Sequence, residues 1–302
     1  MSRTATSVVG LFLTLVFSLL SLADTQSPAK TKFTAAEIVE KNVSARGGLQ
    51  AWRGVQTLSM SGMMDAGGNN RPSLPIPGQH KGAQLPPPRP VEQVQLPFVM
   101  DFKRGHKTRV EIQFAGKTAV QVFDGMNGWK VRPFLNRLEV EPYTAEEMKS
   151  ASRESELDGP LIDYATKGTK IELEGVEQVE GRDAYKLKLT QKSGASFHVW
   201  VDTGTFLEAK IEGTPRRLDG KYYPVEVFYR DYRNVNGLMI PHLWETRVEG
   251  INKAGEKDIS AKVVVENVVV NPKLDETLFA KPQVNASVNA KQSVPSPGHS
   301  LP

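Results

Sequence analysis

The sequence predicts a mainly β protein built as an antiparallel sheet or barrel. Residues 109–114 alternate polar and apolar side chains, and this period of two is typical of a strand with one wet and one dry face. Turn pairs such as Asp124-Gly125 and Asn236-Gly237 separate segments of this kind, as hairpin turns do. Because such strands recur at regular spacing, we expect a sheet of about eleven strands.

The first half of the chain predicts a helix, a strand and a four-stranded unit. Thr34 and Glu37 have the spacing of a capping box, so a helix should begin at Thr34 and end at 47–48. A first strand should follow over 55–64. Short alternating segments joined by glycine turns then predict four strands within 98–134.

The stretch 65–97 interrupts this pattern with eight prolines between Pro72 and Pro97. Proline cannot donate to a β-ladder, so we expect an extended insertion between the first two strands rather than a central strand. The alternative interpretation of the same composition is a PxxP ligand for another domain.

The second half predicts one more helix and a long series of strands. Residues 144–156 have the composition of a short helix, and Gly159-Pro160 should end it. A turn is expected over 161–165. Alternating segments between 170 and 270, each bounded by a turn signal, predict the remaining strands.

The two termini predict an exported protein with one folded domain. Arg3 precedes an apolar run, and Ser21-Leu22-Ala23 offers the small residues that a signal peptidase reads. We therefore expect a signal peptide over 1–23, cleaved after Ala23, and a periplasmic location. Residues 24–32 should form a leader, 33–282 one β domain, and 283–302 a disordered tail.

No residue pattern indicates catalysis, a metal site or a cofactor. The chain has no cysteine, and its five histidines are too scattered to share one face of an element. The net charge of +4 is dispersed among alternating signs, which argues against nucleic acid. No nucleophile elbow or phosphate-binding loop occurs. We expect a non-enzymatic protein; a hydrolase whose site is assembled from distant residues is the alternative.

The predicted sheet has more apolar face than its few helices can cover. A partly covered apolar concavity is a ligand site by default. Each methylene of a bound acyl chain would contribute about 0.8 kcal/mol, so a dozen would contribute roughly 10 kcal/mol before the cost of ordering. The sequence therefore favours a binding protein for lipid or another acyl ligand.

Several motifs resemble, in their order along the chain, the periplasmic outer-membrane lipoprotein carriers of the LolA/LolB-like, or lipoprotein-sorting, family. The resemblance covers most of 33–282, although Gly105 stands where the family has proline and the insertion 65–97 is not typical of it. The motifs are Phe102-Lys103-Arg104, Val122-Phe123-Asp124-Gly125, Gly128-Trp129-Lys130-Val131-Arg132-Pro133-Phe134, Asp158-Gly159-Pro160-Leu161, Gly181-Arg182-Asp183-Ala184-Tyr185-Lys186-Leu187 and Pro272-Lys273-Leu274-Asp275.

This resemblance implies an open, incomplete barrel wrapped around helices that act as a lid. It implies a soluble, monomeric carrier of lipoprotein acyl chains or lipid, without a cofactor, that exchanges its cargo with inner- and outer-membrane sorting proteins. It also implies that Arg104 holds the lid closed; an exposed hairpin arginine is the alternative. A cell-envelope interaction or scaffold protein is the alternative function on the same fold.

Strand alternation and the implied lid together predict the residues that line the ligand site. A register shift of one residue would turn every strand residue outward. The predicted lipid-binding residues are Phe98, Met100, Phe102, Val110, Ile112, Phe114, Val120 and Val122 on the strands, Trp129 at the rim, and Leu161, Ile162 and Tyr164 on the lid.

Overall fold

The predicted signal peptide 1–23, nearly all of the leader, and residues 284–302 lie outside the part of the chain that the structure describes. Within that part, no helix is both long enough and apolar enough to span a bilayer. The computed structural model describes residues 32–65, 95–133, 137–218, 220–249 and 259–283.

The described residues contain fifteen strands. Those of the first half are β1 (Thr57–Asp65), β2 (Gln95–Lys103), β3 (Lys107–Phe114), β4 (Lys117–Phe123), β5 (Gly128–Arg132) and β6 (Arg137–Pro142). Those of the second half are β7 (Lys170–Val179), β8 (Arg182–Thr190), β9 (Ser196–Asp202), β10 (Glu208–Glu212), β11 (Arg216–Leu218), β12 (Lys221–Tyr223), β13 (Val225–Val235), β14 (Leu238–Val248) and β15 (Ile259–Val270).

Thirteen of these strands form one antiparallel sheet in the order β6-β5-β4-β3-β2-β1-β15-β14-β13-β10-β9-β8-β7. The chain builds outward from β1 to β6, restarts at the far edge with β7, and returns to pair β15 with β1. Because β6 and β7 are edges that do not pair with each other, the barrel is open. The expected fold class is confirmed, with thirteen strands in the sheet and β11 and β12 in a separate hairpin.

The predicted helices are present in the described residues. The capping box of Thr34 and Glu37 is confirmed: the Thr34 N–H donates to Glu37 Oε2 at 2.7 Å, and the Glu37 N–H donates to Thr34 Oγ1 at 3.3 Å. Thr144 and Glu147 form a second capping box. The helices are α1 (Ala35–Ala45), α2 (Leu49–Arg53), α3 (Ala145–Glu154) and a C-terminal 3₁₀ helix (Glu276–Phe279).

The region predicted as an insertion, 65–97, is shorter than expected. Asp65 ends β1, and β2 begins at Gln95, with Pro97 paired to Met63. Proline is tolerated there because the pairing of β2 with β3 begins only at Phe98, so the missing N–H interrupts no ladder on that side. Residues 66–94 lie outside the described residues.

Helices α1 and α2 cover one face of the sheet, which we call the inner face. Their apolar side chains pack with those of the strands in two separate clusters. The α1 cluster comprises Ile38, Val39, Leu161, Tyr185, Leu187, Leu189, Phe197, Val199 and Val201. The α2 cluster comprises Trp52, Val55, Leu58, Met60, Phe98, Ile162, Leu238, Ile240 and Val265.

Candidate functional site: the inner face of the sheet

Strands β2 and β3 carry predicted lining residues on the inner face. Met100 pairs with Val110, which places Val110 on the face that Met100 occupies. Phe114 follows on the same face by alternation, and it remains 44% exposed. The predicted residues that belong to the α2 cluster or pack against it are Phe98, Met100, Phe102 and Ile112.

The prediction that Val120 and Val122 also face inward is wrong. Val110 pairs with Gln121 across the β3–β4 hairpin, so Gln121 shares the inner face and the two valines lie on the opposite, outer face. The two-residue turn 115–116 is the cause, because it makes the inward residues even-numbered on β3 and odd-numbered on β4.

Trp129 also lies on the outer face, because it pairs with Val122. Val122 is nevertheless fully buried. The C-terminal 3₁₀ helix packs near this part of the outer face: Arg109, which pairs with Val122, donates from Nη1 to the carbonyl oxygen of Leu278 at 3.0 Å. Apolar side chains are therefore buried on both faces of β4, and alternation of hydrophobicity alone could not identify the inner one.

Two consecutive lid residues insert into different clusters. Leu161 belongs to the α1 cluster and Ile162 to the α2 cluster, and both are fully buried. Tyr164 is partly buried against the α1 cluster. The loop turns sharply around them, with positive φ at Gly159 (78°) and Asp163 (53°). We call residues 158–164 the plug, since they fill the space between the two clusters.

Arg104 joins the plug and α2 to the β2–β3 hairpin. Its Nε donates to the Val55 carbonyl oxygen at 2.8 Å, its Nη2 to that of Trp52 at 2.6 Å, and its Nη1 to Asp158 Oδ2 at 2.5 Å. Asp158 is buried and also accepts a bond from Lys167 Nζ at 2.9 Å. The contacts suit the lid role expected of Arg104, which itself stays a prediction.

A second arginine at the plug, Arg46, was not predicted from the sequence. It follows α1 as the C-cap, and its guanidinium lies 4.3 Å from the centroid of the Trp52 ring. Nη1 donates to the Asp158 carbonyl oxygen at 2.8 Å and pairs with Glu208 Oε1 at 3.2 Å. The Tyr232 hydroxyl donates to Glu208 Oε2 at 3.2 Å. No local signal identifies this pair, because Glu208 is far from Arg46 in sequence.

Helix α3 crosses the inner face, and none of its side chains is fully buried. Near the start of the helix, Glu147 pairs with Lys130 of β5. At the end of the helix, the Arg153 guanidinium lies 4.0 Å from the centroid of the Phe197 ring. Arg153 also donates a hydrogen bond to the Glu212 carbonyl oxygen. Several apolar inner-face residues are only half-buried, and we call the patch that they form the recess. These residues are Met64, Met100, Val110, Ile112 and Val263.

One acidic group beside the plug, Glu156, is partly desolvated. Burial raises the pKa of Glu156, although Lys167 Nζ lies 3.1 Å from its Oε1 and opposes that shift. Throughout the described residues, no group of three or more histidine, aspartate or glutamate side chains is arranged to hold a metal ion.

These features define a class of structure: an open antiparallel barrel whose apolar inner face is covered by helices and a fastened loop. A LolA superfamily protein from Nitrosomonas europaea has this fold, with 16% identity, a TM-score of 0.50, and coverage of 82% of this chain and 98% of that one. A DUF1329 family protein from Desulfovibrio piger has 14% identity, a TM-score of 0.50, and coverage of 82% and 97%.

A putative outer membrane lipoprotein-sorting protein domain from Vibrio parahaemolyticus is 13% identical, with a TM-score of 0.48 and coverage of 82% of this chain and 96% of that one. No family model and no curated protein sequence matches the chain. At these identities the likeness is one of fold. The resemblance to LolA-like proteins is confirmed at that level.

Proposed function

We propose that this protein is an exported, non-enzymatic carrier that binds the acyl chains of lipoproteins or lipids on its inner face and moves them toward the outer membrane. The N-terminal targeting pattern and the LolA-like fold support this proposal. Membrane sorting proteins on either side of the periplasm would supply and receive the cargo.

The observation that carries the proposal is an apolar surface that is covered but only half-buried. The lining residues of the recess lie on the inner face and stay half-buried, and α3 spans that face with none of its own side chains fully buried. An acyl chain would complete their burial, and a dozen methylenes would contribute roughly 10 kcal/mol before ordering costs.

A chain longer than the recess has to displace the plug. Leu161 and Ile162 together bury apolar surface worth about 3–6 kcal/mol. Displacing the plug also breaks the bonds of Arg104 and Lys167 to Asp158, so an acyl chain has to offset both the lost burial and these bonds. Where it does, cargo replaces the plug, and the plug returns when cargo leaves. Such an exchange keeps apolar surface out of water in both states, as a reversible carrier requires.

The direct test is to purify the mature chain, extract bound lipid and identify it by mass spectrometry. In parallel, the delipidated protein is titrated with the neutral fluorescent probe N-phenyl-1-naphthylamine. We expect an acylated molecule in the extract and saturable probe binding that the same molecule displaces. A chain that carries no lipid and binds no probe would overturn the proposal.

Two neighbouring residues of β15 supply a matched control. Val263 pairs with Met64 and packs against the α2 cluster, whereas Val264 pairs with Met63 on the outer face and is 37% exposed. Val263→Glu should weaken probe binding at least about tenfold, and Val264→Glu should leave it nearly unchanged. Val263→Ser serves if the glutamate variant fails to fold. Equal effects on both sides of the strand would contradict an inner-face site.

A further inference from the structure

Arg46 holds the plug by its backbone rather than by a side chain. Its Nη1 donates to the Asp158 carbonyl oxygen at 2.8 Å, and both residues are buried. Three positions further along the plug, Leu161 is fully buried in the α1 cluster. On this side of the protein the plug therefore presents a carbonyl group followed by an apolar body.

An acyl ester has the same order of groups, because its carbonyl carbon carries a hydrocarbon chain. An ester that takes the place of the plug meets the partners that the plug leaves behind: Arg46 for its carbonyl oxygen, and the α1 cluster for its chain. The plug thus fills this part of the inner face in the manner of an internal ligand.

The guanidinium of Arg46 is fixed by contacts that do not involve the plug. It lies 4.3 Å from the centroid of the Trp52 ring, and Trp52 Nε1 donates to the Arg46 carbonyl oxygen at 2.9 Å. Glu208 Oε1 lies 3.2 Å from Nη1, and the Tyr232 hydroxyl donates to Glu208 Oε2 at 3.2 Å. Departure of the plug therefore leaves the guanidinium oriented, and a preoriented donor adds little ordering cost to binding.

Arg46 also has a donor that the plug does not use. Its side chain is only 9% exposed, and its Nε is buried without a hydrogen-bond partner among the described residues. A buried donor without an acceptor is unfavourable, and such atoms are rare in native proteins. An acyl ester has two oxygens, so it offers the guanidinium more acceptors than the single carbonyl of Asp158 does.

We propose that Arg46 binds the carbonyl oxygen of an acyl ester or amide of the cargo, at the position that the Asp158 carbonyl oxygen holds in the structure. The acyl chain then takes the place of Leu161 in the α1 cluster. This inference rests on the proposed function. It adds a specificity to that function, because acylated molecules are bound in preference to alkyl ethers and hydrocarbons of the same length.

The test compares two ligands that differ only at the carbonyl group: monopalmitoylglycerol, an ester, and hexadecylglycerol, the matching ether. Each is used to displace N-phenyl-1-naphthylamine from the delipidated mature protein. Wild-type protein should bind the ester at least about tenfold more tightly, because the ether lacks the acceptor for a charged donor. The carbonyl stretching band of the bound ester, labelled with carbon-13 at that carbon, should lie at lower wavenumber than in a hydrocarbon solvent.

The double variant Arg46→Met/Glu208→Gln removes the donor together with the charge that it would leave unpaired. This variant should bind the ester and the ether equally, and the carbonyl band of the bound ester should move to higher wavenumber. A merely structural role of Arg46 would weaken both ligands by the same factor and leave their ratio unchanged. Arg46→Lys serves if the double variant fails to fold, and it should also lower the ratio because lysine lacks the fork of donors.

The matched control is a buried ion pair on the outer face. Lys210 Nζ lies 2.5 Å from Glu226 Oε1, and Lys210 pairs with Trp200 of β9. Both neighbours of Trp200 in that strand belong to the α1 cluster, so Trp200 and Lys210 lie on the outer face. Lys210→Met/Glu226→Gln should keep the preference for the ester and the carbonyl band of wild type.

The outcomes separate this inference from the carrier proposal. Equal affinity of the wild-type protein for ester and ether would overturn the role of Arg46 while the carrier proposal stands. A preference for the ester that survives in Arg46→Met/Glu208→Gln would overturn it as well. If no probe binds, or if neither ligand displaces the probe, both proposals fail together.

Discussion

At the scale of single residues, the contacts of Arg104 show how one guanidinium can hold two segments against a hairpin. It makes three bonds to three different segments, and none of them buries an apolar group. Lysine cannot reproduce the forked geometry. We expect Arg104→Lys to lower the free energy of unfolding by about 1–3 kcal/mol in urea denaturation and to speed probe association in stopped-flow measurements.

Arg53 provides the comparison for that variant. Its Nε and Nη2 bind Asp163 on the exposed side of the plug, at 2.8 Å and 2.6 Å. An exposed pair of this kind contributes less than about 1 kcal/mol, so Arg53→Lys should have a much smaller effect on both measurements. Equal effects of the two substitutions would show that Arg104 does not fasten the plug.

Glu180 predicts how stability depends on pH. Hydrogen bonds from Arg230 and Arg247 lower its pKa from an ordinary 4.5 to about 2. Because the folded-state pKa lies below the unfolded one, this stabilisation is complete above about pH 4.5 and is lost as the pH falls toward about 2. Solvent screening limits it to about 1 kcal/mol. In urea denaturation, the Glu180→Gln variant should be less stable than wild type by that amount at neutral pH and equally stable near pH 2. A stability difference that does not change with pH would show that it does not arise from the ionisation of Glu180.

Alternation predicted the inner face of β2 and β3 but not that of β4. Every predicted residue on β2 and β3 lies on one face because alternation within a strand is reliable once one buried residue is known. The face of β4 depends on the length of the preceding turn. Val120 and Val122 are more apolar than Gln121, which shares the inner face, so composition favoured the wrong register there.

At the scale of elements, α3 is held by its ends rather than by a packed face. Glu147 both completes the capping box and pairs with Lys130. Glu147→Gln keeps an acceptor for the cap but loses the ion pair, whereas Glu147→Ala loses both. We expect the rate of amide hydrogen exchange over 145–154 to rise in the Glu147→Gln variant and to rise further in the Glu147→Ala variant. The reason is that a cap and a partly buried ion pair each contribute about 1 kcal/mol.

Global stability should respond little to either substitution, because no side chain of α3 is fully buried. Urea denaturation midpoints within error of wild type would accompany the faster local exchange. A large loss of global stability would mean that α3 is part of the core, and that the space beneath it is filled.

The capping box of Thr34 and Glu37 was predicted from sequence because its residues are three positions apart. Thr144 and Glu147 have the same spacing, but only a helix was predicted there, from composition. The plug was not readable in the same way. Its composition predicts only a turn, and its burial depends on two clusters assembled from strands distant in sequence. Arg46 and Glu208 pose the same problem, since a helix-end arginine is ordinarily solvated.

At the scale of the whole molecule, hairpin chemistry predicts which neighbouring strands pair, and it accounts for the meander from β1 to β6. It does not predict that β15 returns to β1, because that contact joins the two ends of the domain without a turn. This long-range pairing merges two meanders into one curved sheet. It also brings Met64 beside Val263, so the recess exists only in the complete fold.

In the proposed mechanism cargo and plug compete for one inner face, and it predicts that a plug that cannot leave excludes long acyl ligands. The chain has no cysteine, so introduced thiols react alone. Arg53 of α2 and Asp163 of the plug are in contact. The double variant Arg53→Cys/Asp163→Cys can therefore be bridged by a bis-maleimide that contains a disulfide. We expect the bridged protein to bind N-phenyl-1-naphthylamine and long-chain acyl ligands at least about tenfold more weakly than wild type.

Cleaving the bridge with a reductant should restore binding in the same sample, which separates blocked entry from damage to the fold. The control is Glu180→Cys/Arg230→Cys, which is bridged by the same reagent at an ion pair away from the plug. This variant should bind the probe and the acyl ligands equally well before and after cleavage of the bridge. Undiminished binding to the bridged plug would mean that cargo enters without displacing Leu161 and Ile162. Exchange between plug and cargo would then be the wrong mechanism for this fold.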